Sequence, residues 1–343
     1  MAAWSKRKRL ETALNGEKPD RVPVALWRHF PGDDQDAGAL AAAHIQWQHD
    51  YDWDVLKVSP ASSYCLVDWG VEARWEGSLE GTRTYTKRVI QEADDWTRLE
   101  RLDPHRGMLA TQLEALRLVG AGLRAGAGPE LDGETPYLAT IFSPLAQAKN
   151  LAGGERLLSH MRSHPEAVRA GLETITQSTI DYVEAAKDTG ISGIFYAIQH
   201  ARYPLLNMGE YQIFGRSLDE EILAAASDLW LNMVHLHGEE GVIFEMVADY
   251  PVQIVNWHDR DSSVGLGEGL QQFSGLVCGG VSRWSIYEEG PQKTLAEARA
   301  ALQETDGQRF MLGVGCVVMT NTPLRNIRAL RDVVETGGES ATE

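Results

Sequence analysis

The segment "NMVHLHGEEG" (232–241) sets His235 and His237 two positions apart at the end of an apolar run. On a strand, residues i and i+2 face the same side, so the two imidazoles would point one way. A third soft donor, Cys316, lies near the end of another apolar run, "RFMLGVGCV" (309–317). Two imidazoles and a thiolate suit Zn2+, a borderline-soft ion, and three protein ligands leave the fourth tetrahedral position open to a substrate. The alternative is a pair of hydrogen-bonded core histidines beside an inert cysteine. The H-x-H spacing alone does not choose between them.

Other reactive side chains cluster at the ends of apolar runs. "NWHDR" (256–260) offers His258 and Asp259 as an acid/base pair or as support for a ligating histidine; otherwise it is a loop held by an Asp–Arg ion pair. Arg28, next to His29, has the planar fork that grips a carboxylate, against a capping or surface role. Lys57 interrupts an apolar run and reads as an anion contact or a Schiff-base lysine, with a structural ion pair as the simpler account. Tyr196 joins His258 and Asp259 as a catalytic candidate. His29, Lys57, Gln199, His200 and Asn256 join Arg28 as substrate-binding candidates.

Eight short apolar runs carry these residues, at 22–26, 54–60, 136–144, 190–198, 232–238, 252–259, 275–282 and 309–317. Near-continuous apolar runs suit strands buried on both faces, as in a parallel sheet. Helical patterns separate them. Ser217 with Glu220 and Thr294 with Glu297 read as capping boxes, Thr322–Pro323 as a helix start, and Gly190 and Gly307 as stops. The pattern predicts a (β/α)8 TIM barrel, α/β in class, as one domain over 1–343, with the chemistry at the C-terminal strand ends. An open doubly wound sheet is second, since no G-x-G-x-x-G opens a helix after a strand. Residues 67–90, "VDWGVEARWEGSLEGTRTYTKRVI", read as a β-hairpin excursion after strand two, with Trp69 to Trp75 covering the mouth.

The net charge of −17 over 343 residues argues against nucleic acid and anionic membrane, which call for clustered Lys and Arg. The one basic run, "KRKR" (6–9), is expected to solvate a helix. No apolar signal segment follows it and no uncharged stretch reaches membrane-spanning length. Three widely spaced cysteines are no disulfide framework, so a reducing cytoplasm is expected. The sequence leaves the assembly open, a homodimer included.

The strings "DRVPVALWRHF", "PYLATIFSPLAQAKNLAG", "GISGIFYAIQHA" and "GVGCVVMTNTPLRNIRAL" resemble segments of the uroporphyrinogen decarboxylase superfamily, over about residues 20 to 335. The resemblance implies the same (β/α)8 barrel. One branch decarboxylates uroporphyrinogen without metal, using a second arginine after the first, an aspartate after strand two and a C-terminal histidine. Arg28 matches the first arginine, but "RHFPGDD" lacks the second, Pro60 stands near the aspartate position and Cys316 replaces the histidine. Those departures argue against the haem-pathway reaction. The other branch is similar to zinc-dependent methyltransferases that move methyl groups between a corrinoid protein and a thiol, through a His-x-Cys…Cys motif. Here His235 and Cys316 match the outer ligands, and His237 takes the place of the middle cysteine. The exchange removes one negative charge, making the ion a stronger Lewis acid and a thiolate on it less nucleophilic. The resemblance therefore implies zinc-dependent methyl or alkyl transfer, with a corrinoid as methyl donor or acceptor. A decarboxylase or lyase holding a substrate carboxylate on Arg28, and a non-catalytic corrinoid or tetrapyrrole binder, stay open as alternatives.

Overall fold

Seven of the eight apolar runs pair side by side in one parallel sheet in the computed structural model, which describes residues 4–126, 135–288 and 290–336. Its strands are β1 (Leu56–Val58), β4 (Tyr137–Phe142), β5 (Gly193–Ile198), β6 (Met233–Leu236), β7 (Ile254–Trp257), β8 (Leu276–Val281) and β9 (Phe310–Val314), adjacent in that order. Each crossover carries helix, the connection that parallel neighbours need. The eighth run, 22–26, makes no ladder. Pro23 has no N–H to give, and only a bridge between Val24 and Leu312 forms. Ala25 donates to Leu312 O and Leu312 to Pro23 O, while Asp54 donates to Val24 O, so this run spans the two edges of the curled sheet.

Strand parity divides the buried side chains into two layers. Lumen positions such as Val55, Leu138, Phe195, Met233, Ile254, Leu276 and Met311 form one apolar cluster, and Leu10 and Ala13 of the helix Lys6–Leu14 join it. The alternate positions pack outward under the surrounding helices. Sheet and helices thus enclose a plugged lumen that opens at the C-terminal strand ends. The "KRKR" run only partly solvates its helix: Arg9 is buried, ion-paired to Asp20 and Asp54.

Between β1 and β4, β2 (Glu72–Arg74) and β3 (Thr84–Lys87) pair antiparallel with an irregular register at Glu72/Ala73. The loop joining them returns to the mouth, where Gly81 presses on His29 with φ +79. A Cβ there would come within 2.5 Å of the His29 Cβ.

Several helix signals resolve differently. Ser217 is already helical, because a π-turn over Gln212–Arg216 carries the preceding helix into it. Thr294 lies inside the helix Pro291–Thr305, which starts three residues earlier at the proline, and Glu297 instead accepts from Ser282 N and Ser285 Oγ. Pro323 is the N-cap rather than the first helical residue of Leu324–Val333. Gly190 and Gly307 do end helices, with φ +89 and +63.

Candidate metal centre at the strand ends

Lumen parity brings β6 and β7 to one spot, and the bend that follows β9 brings Cys316 to it. Met233, His235 and His237 alternate inward from β6; Ile254, Asn256 and His258 do so from β7. Cys316 follows β9. His235 Nε2 lies 3.6 Å from Cys316 Sγ and His237 Nδ1 lies 3.7 Å from it. For Zn–S of about 2.3 Å and Zn–N of about 2.0–2.1 Å, tetrahedral angles put N and S roughly 3.6 Å apart. The donor types and both separations therefore fit zinc. His258 completes the group: one donor atom from each of His235, His237, His258 and Cys316 lies within 4.8 Å of all the others.

Asn256 sets the protonation of His235. Its Nδ2 donates to Cys278 O at 2.9 Å and Val314 O at 3.0 Å, so its Oδ1 faces His235 Nδ1 at 2.6 Å as an acceptor. His235 must then carry its proton on Nδ1, leaving the Nε2 lone pair toward Cys316. This is the orienting contact that ligating histidines generally need. Asn256 was expected to meet substrate; it holds a histidine instead.

Burial keeps the imidazoles neutral. It drives His235 well below the ordinary histidine range, with help from His237 and His258, and brings His237 down to about 4 and His258 to about 3. Neutral imidazole is the form that binds metal. Burial also pushes the Cys316 thiol up to about 11, against the pull of Arg283. A bound cation works in the opposite sense and favours thiolate.

A cavity of about 270 Å³ opens in front of His235, His237 and Cys316. Trp27, Phe142 and Phe195 give it apolar walls, and His29, Lys57 and Gln199 line it as the sequence led us to expect. Lys57 is buried, rests over Phe195 and donates to Ser59 Oγ at 3.0 Å; burial brings it down to about 7. Lys149 donates to Gln199 Oε1 at 2.6 Å. His29 Nδ1 meets Pro60 O at 3.0 Å. Sequence reasoning missed Arg83, Glu80 and Lys149, which also line the cavity. Glu80 and Arg83 belong to the β2–β3 loop, so only their place in "EGTRTY" could have marked them. Above the cluster Arg283 bridges Glu80 at 2.6 Å and Glu239 at 3.1 Å, tying together loops from three parts of the chain.

Four expected residues lie elsewhere, mostly for one reason: each is a single position out of lumen parity. Arg28, between inward Trp27 and His29, turns outward with its guanidinium over Phe30. His200 is buried but does not line the cavity, unlike Gln199 beside it. Tyr196 faces the outer layer and donates to Asp219 at 2.5 Å, where Tyr211 and Tyr250 also donate at 2.5 and 3.0 Å. Asp259 turns into β8, accepts from Gly280 N at 3.0 Å and meets Arg260 at 3.3 Å; burial raises it to about 7. The Trp69–Trp75 cover is also corrected. Trp69 donates to Glu100 O beside a larger, open groove of about 630 Å³, and Trp75 is exposed, donating to Ser78 O. Among the described residues that larger groove is lined by no His or Cys and no candidate metal cluster, so the smaller cavity is the candidate site.

Fold and cluster together define an α/β protein with a candidate metal centre at the C-terminal ends of a parallel sheet. The chain belongs to the uroporphyrinogen decarboxylase family: the family described as "Uroporphyrinogen decarboxylase (URO-D)" matches residues 5–337. Among solved structures, a methyltransferase from Methanosarcina mazei superposes with a TM-score of 0.82 at 19% identity, over 97% of this chain and 99% of that one. A B12-independent methionine synthase from Shewanella sp. W3-18-1, in complex with selenomethionine, gives 0.55 at 13% identity over 94% of each chain. A putative B12-independent methionine synthase from Listeria monocytogenes gives 0.53 at 11% identity, over 94% of this chain and 98% of that one. At these identities the likeness is one of fold. No curated protein matches the chain in sequence.

Proposed function

We propose that this protein is a zinc-dependent methyl or alkyl transferase acting on a small thiol, built as one (β/α)8 domain with the run 22–26 as its eighth stave. The observation that carries the reading is the convergence of His235, His237 and Cys316 on the cavity, with N···S separations of 3.6 and 3.7 Å. The names of the fold neighbours, a methyltransferase and methionine synthases, support it. The chemistry a bound Zn2+ supplies is stabilisation of a thiolate at neutral pH.

This chain's residues do the rest. Asn256 fixes the His235 tautomer. Trp27, Phe142 and Phe195 exclude water from the thiol, and Lys57 and Lys149 orient an anionic part of the acceptor. The cavity of about 270 Å³ suits a small acceptor, since drug-sized sites run to roughly 300–1,000 Å³. A corrinoid donor would be presented at the mouth by a partner protein. We place the protein in the cytoplasm, where its three cysteines stay unpaired; among the described residues no helix is long and apolar enough to cross a membrane. The carboxy-lyase reading loses its anchor with Arg28 outside the cavity, and the departures noted above argue against the haem-pathway decarboxylase.

The test is methyl transfer from methylcobalamin to a panel of small thiols, read by mass spectrometry of the product. Zinc-loaded protein is expected to methylate a thiol, and metal-stripped protein to stop. Zinc-loaded protein that leaves every thiol unmodified would count against this function.

A further inference from the structure

His258 was expected to act as an acid or base on substrate, yet it does not line the cavity. It lies behind the other three donors, buried at 1% exposure. Neither ring nitrogen has a hydrogen-bond partner among the described residues. A buried imidazole with both nitrogens idle is costly, and such groups call for a specific explanation. Its ring stands 5.1 Å from His237 and 6.0 Å from His235, centroid to centroid, so three imidazoles converge without bonding to one another.

The backbone is shaped to hold it there. Trp257, one position earlier, points outward and donates to Val264 O, which fixes the strand's parity and turns His258 inward. Gly315 lies against the same spot: a Cβ there would meet His258 Cα at 2.7 Å and Trp257 O at 2.9 Å. Only a glycine beside Cys316 lets the ends of β7 and β9 approach this closely.

We infer that His258 is a fourth protein ligand, giving a site of three imidazoles and one thiolate. The inference rests on the zinc reading above and deepens it. The four donors already lie within 4.8 Å of one another, and coordination would occupy one of the two idle nitrogens. Substrate in the cavity meets His235, His237 and Cys316, while His258 grips the ion from the far side. With four protein ligands the resting site is closed, unlike the three-ligand site read from the sequence.

The test uses full-length protein, stripped of metal and reloaded with one equivalent of zinc chloride. X-ray absorption at the zinc edge is expected to count three imidazoles and one sulfur in the wild type. In His258→Ala it should count one imidazole fewer with the sulfur kept, and chelator competition should show zinc held more than about tenfold more weakly. A wild-type spectrum with two imidazoles, one sulfur and a lighter oxygen neighbour overturns the inference and leaves the transferase reading intact. Wild-type protein that takes up no zinc overturns both. The wild-type spectrum decides the matter even if the variant fails to fold.

Discussion

Two buried polar clusters flank this sheet, and they are opposites. In the outer layer, Asp219 accepts from Tyr196, Tyr211 and Tyr250, so the carboxylate and all three hydroxyls are satisfied. In the lumen, neither His258 nitrogen has a partner among the described residues, and His235 and His237 approach Cys316 Sγ at 3.6 and 3.7 Å, within reach of only a weak hydrogen bond to sulfur. The outer cluster is complete within the chain. The inner one leaves both His258 nitrogens open beside donors that converge on Cys316. Buried polarity alone therefore does not point to a candidate site; a buried imidazole left unpaired beside convergent donors does.

The strongest way to break the contrast is to remove an inner ligand. Cys316→Ala should lose zinc by much more than the roughly 10–100-fold that an orienting residue costs, while unfolding near the wild type. Metal analysis and chemical denaturation together check this, and retained zinc would put the ion elsewhere.

Asp219→Ala should do the reverse, leaving zinc content unchanged. Each orphaned buried hydroxyl costs about 1–3 kcal/mol, so a loss of roughly 3 kcal/mol or more is expected in denaturant. The same residue gives a pH signature. Burial raises Asp219 to about 6 even against its three donors. A raised carboxyl contributes stability that is fully present below its unfolded value near 3.8 and is lost as pH rises through about 6. At about 1.4 kcal/mol per unit, that is on the order of 2–3 kcal/mol between pH 3.5 and 7. Asp219→Asn should flatten this part of the profile; an unchanged slope would assign the dependence to other groups.

A smaller effect is expected at Asn256, which supports a ligand without being one. Asn256→Ala should weaken zinc roughly 10–100-fold without abolishing it, measured by chelator competition. Loss as complete as in Cys316→Ala would make it as important as a ligand. Smallest of all is Arg28→Ala, which removes an outward cation–π contact worth about 0.5–1 kcal/mol. Thiol affinity in the transfer assay should stay at the wild-type value, and a tenfold drop would return Arg28 to the cavity.

The contrast also explains what the sequence made legible. The apolar runs and the H-x-H spacing gave the strands of the parallel sheet and put His235 and His237 on one face, because period-2 alternation carries side-chain direction directly. Cys316, one position off the parity of Met311, was legible only as a residue at a strand end. Applying that alternation residue by residue would have turned Arg28, Tyr196 and His200 outward, since Trp27, Phe195 and Gln199 hold the inward positions. The run 22–26 reads as the first strand, but Pro23 lacks an N–H and only a bridge to Leu312 forms. Other features were not legible. That Asn256 orients His235 depends on two carbonyls, of Cys278 and Val314, which only the folded sheet brings within reach. That Glu80 and Arg83 reach the cavity depends on a loop whose path no periodicity encodes.

Arg283 carries a consequence of a mechanical kind. Its two ion pairs stitch Glu80 and Glu239 into a ring over the cluster, linking residues 203 and 44 positions away in the chain. The guanidinium is nearly buried while Glu80 and Glu239 are partly exposed, so salt screens these links in part. Glu80 also lines the cavity, so the ring fixes one stretch of the cavity's rim to residues far away in the chain. The shape of the rim is thereby held by a knot of charge, separately from the histidines and cysteine at the cavity's floor.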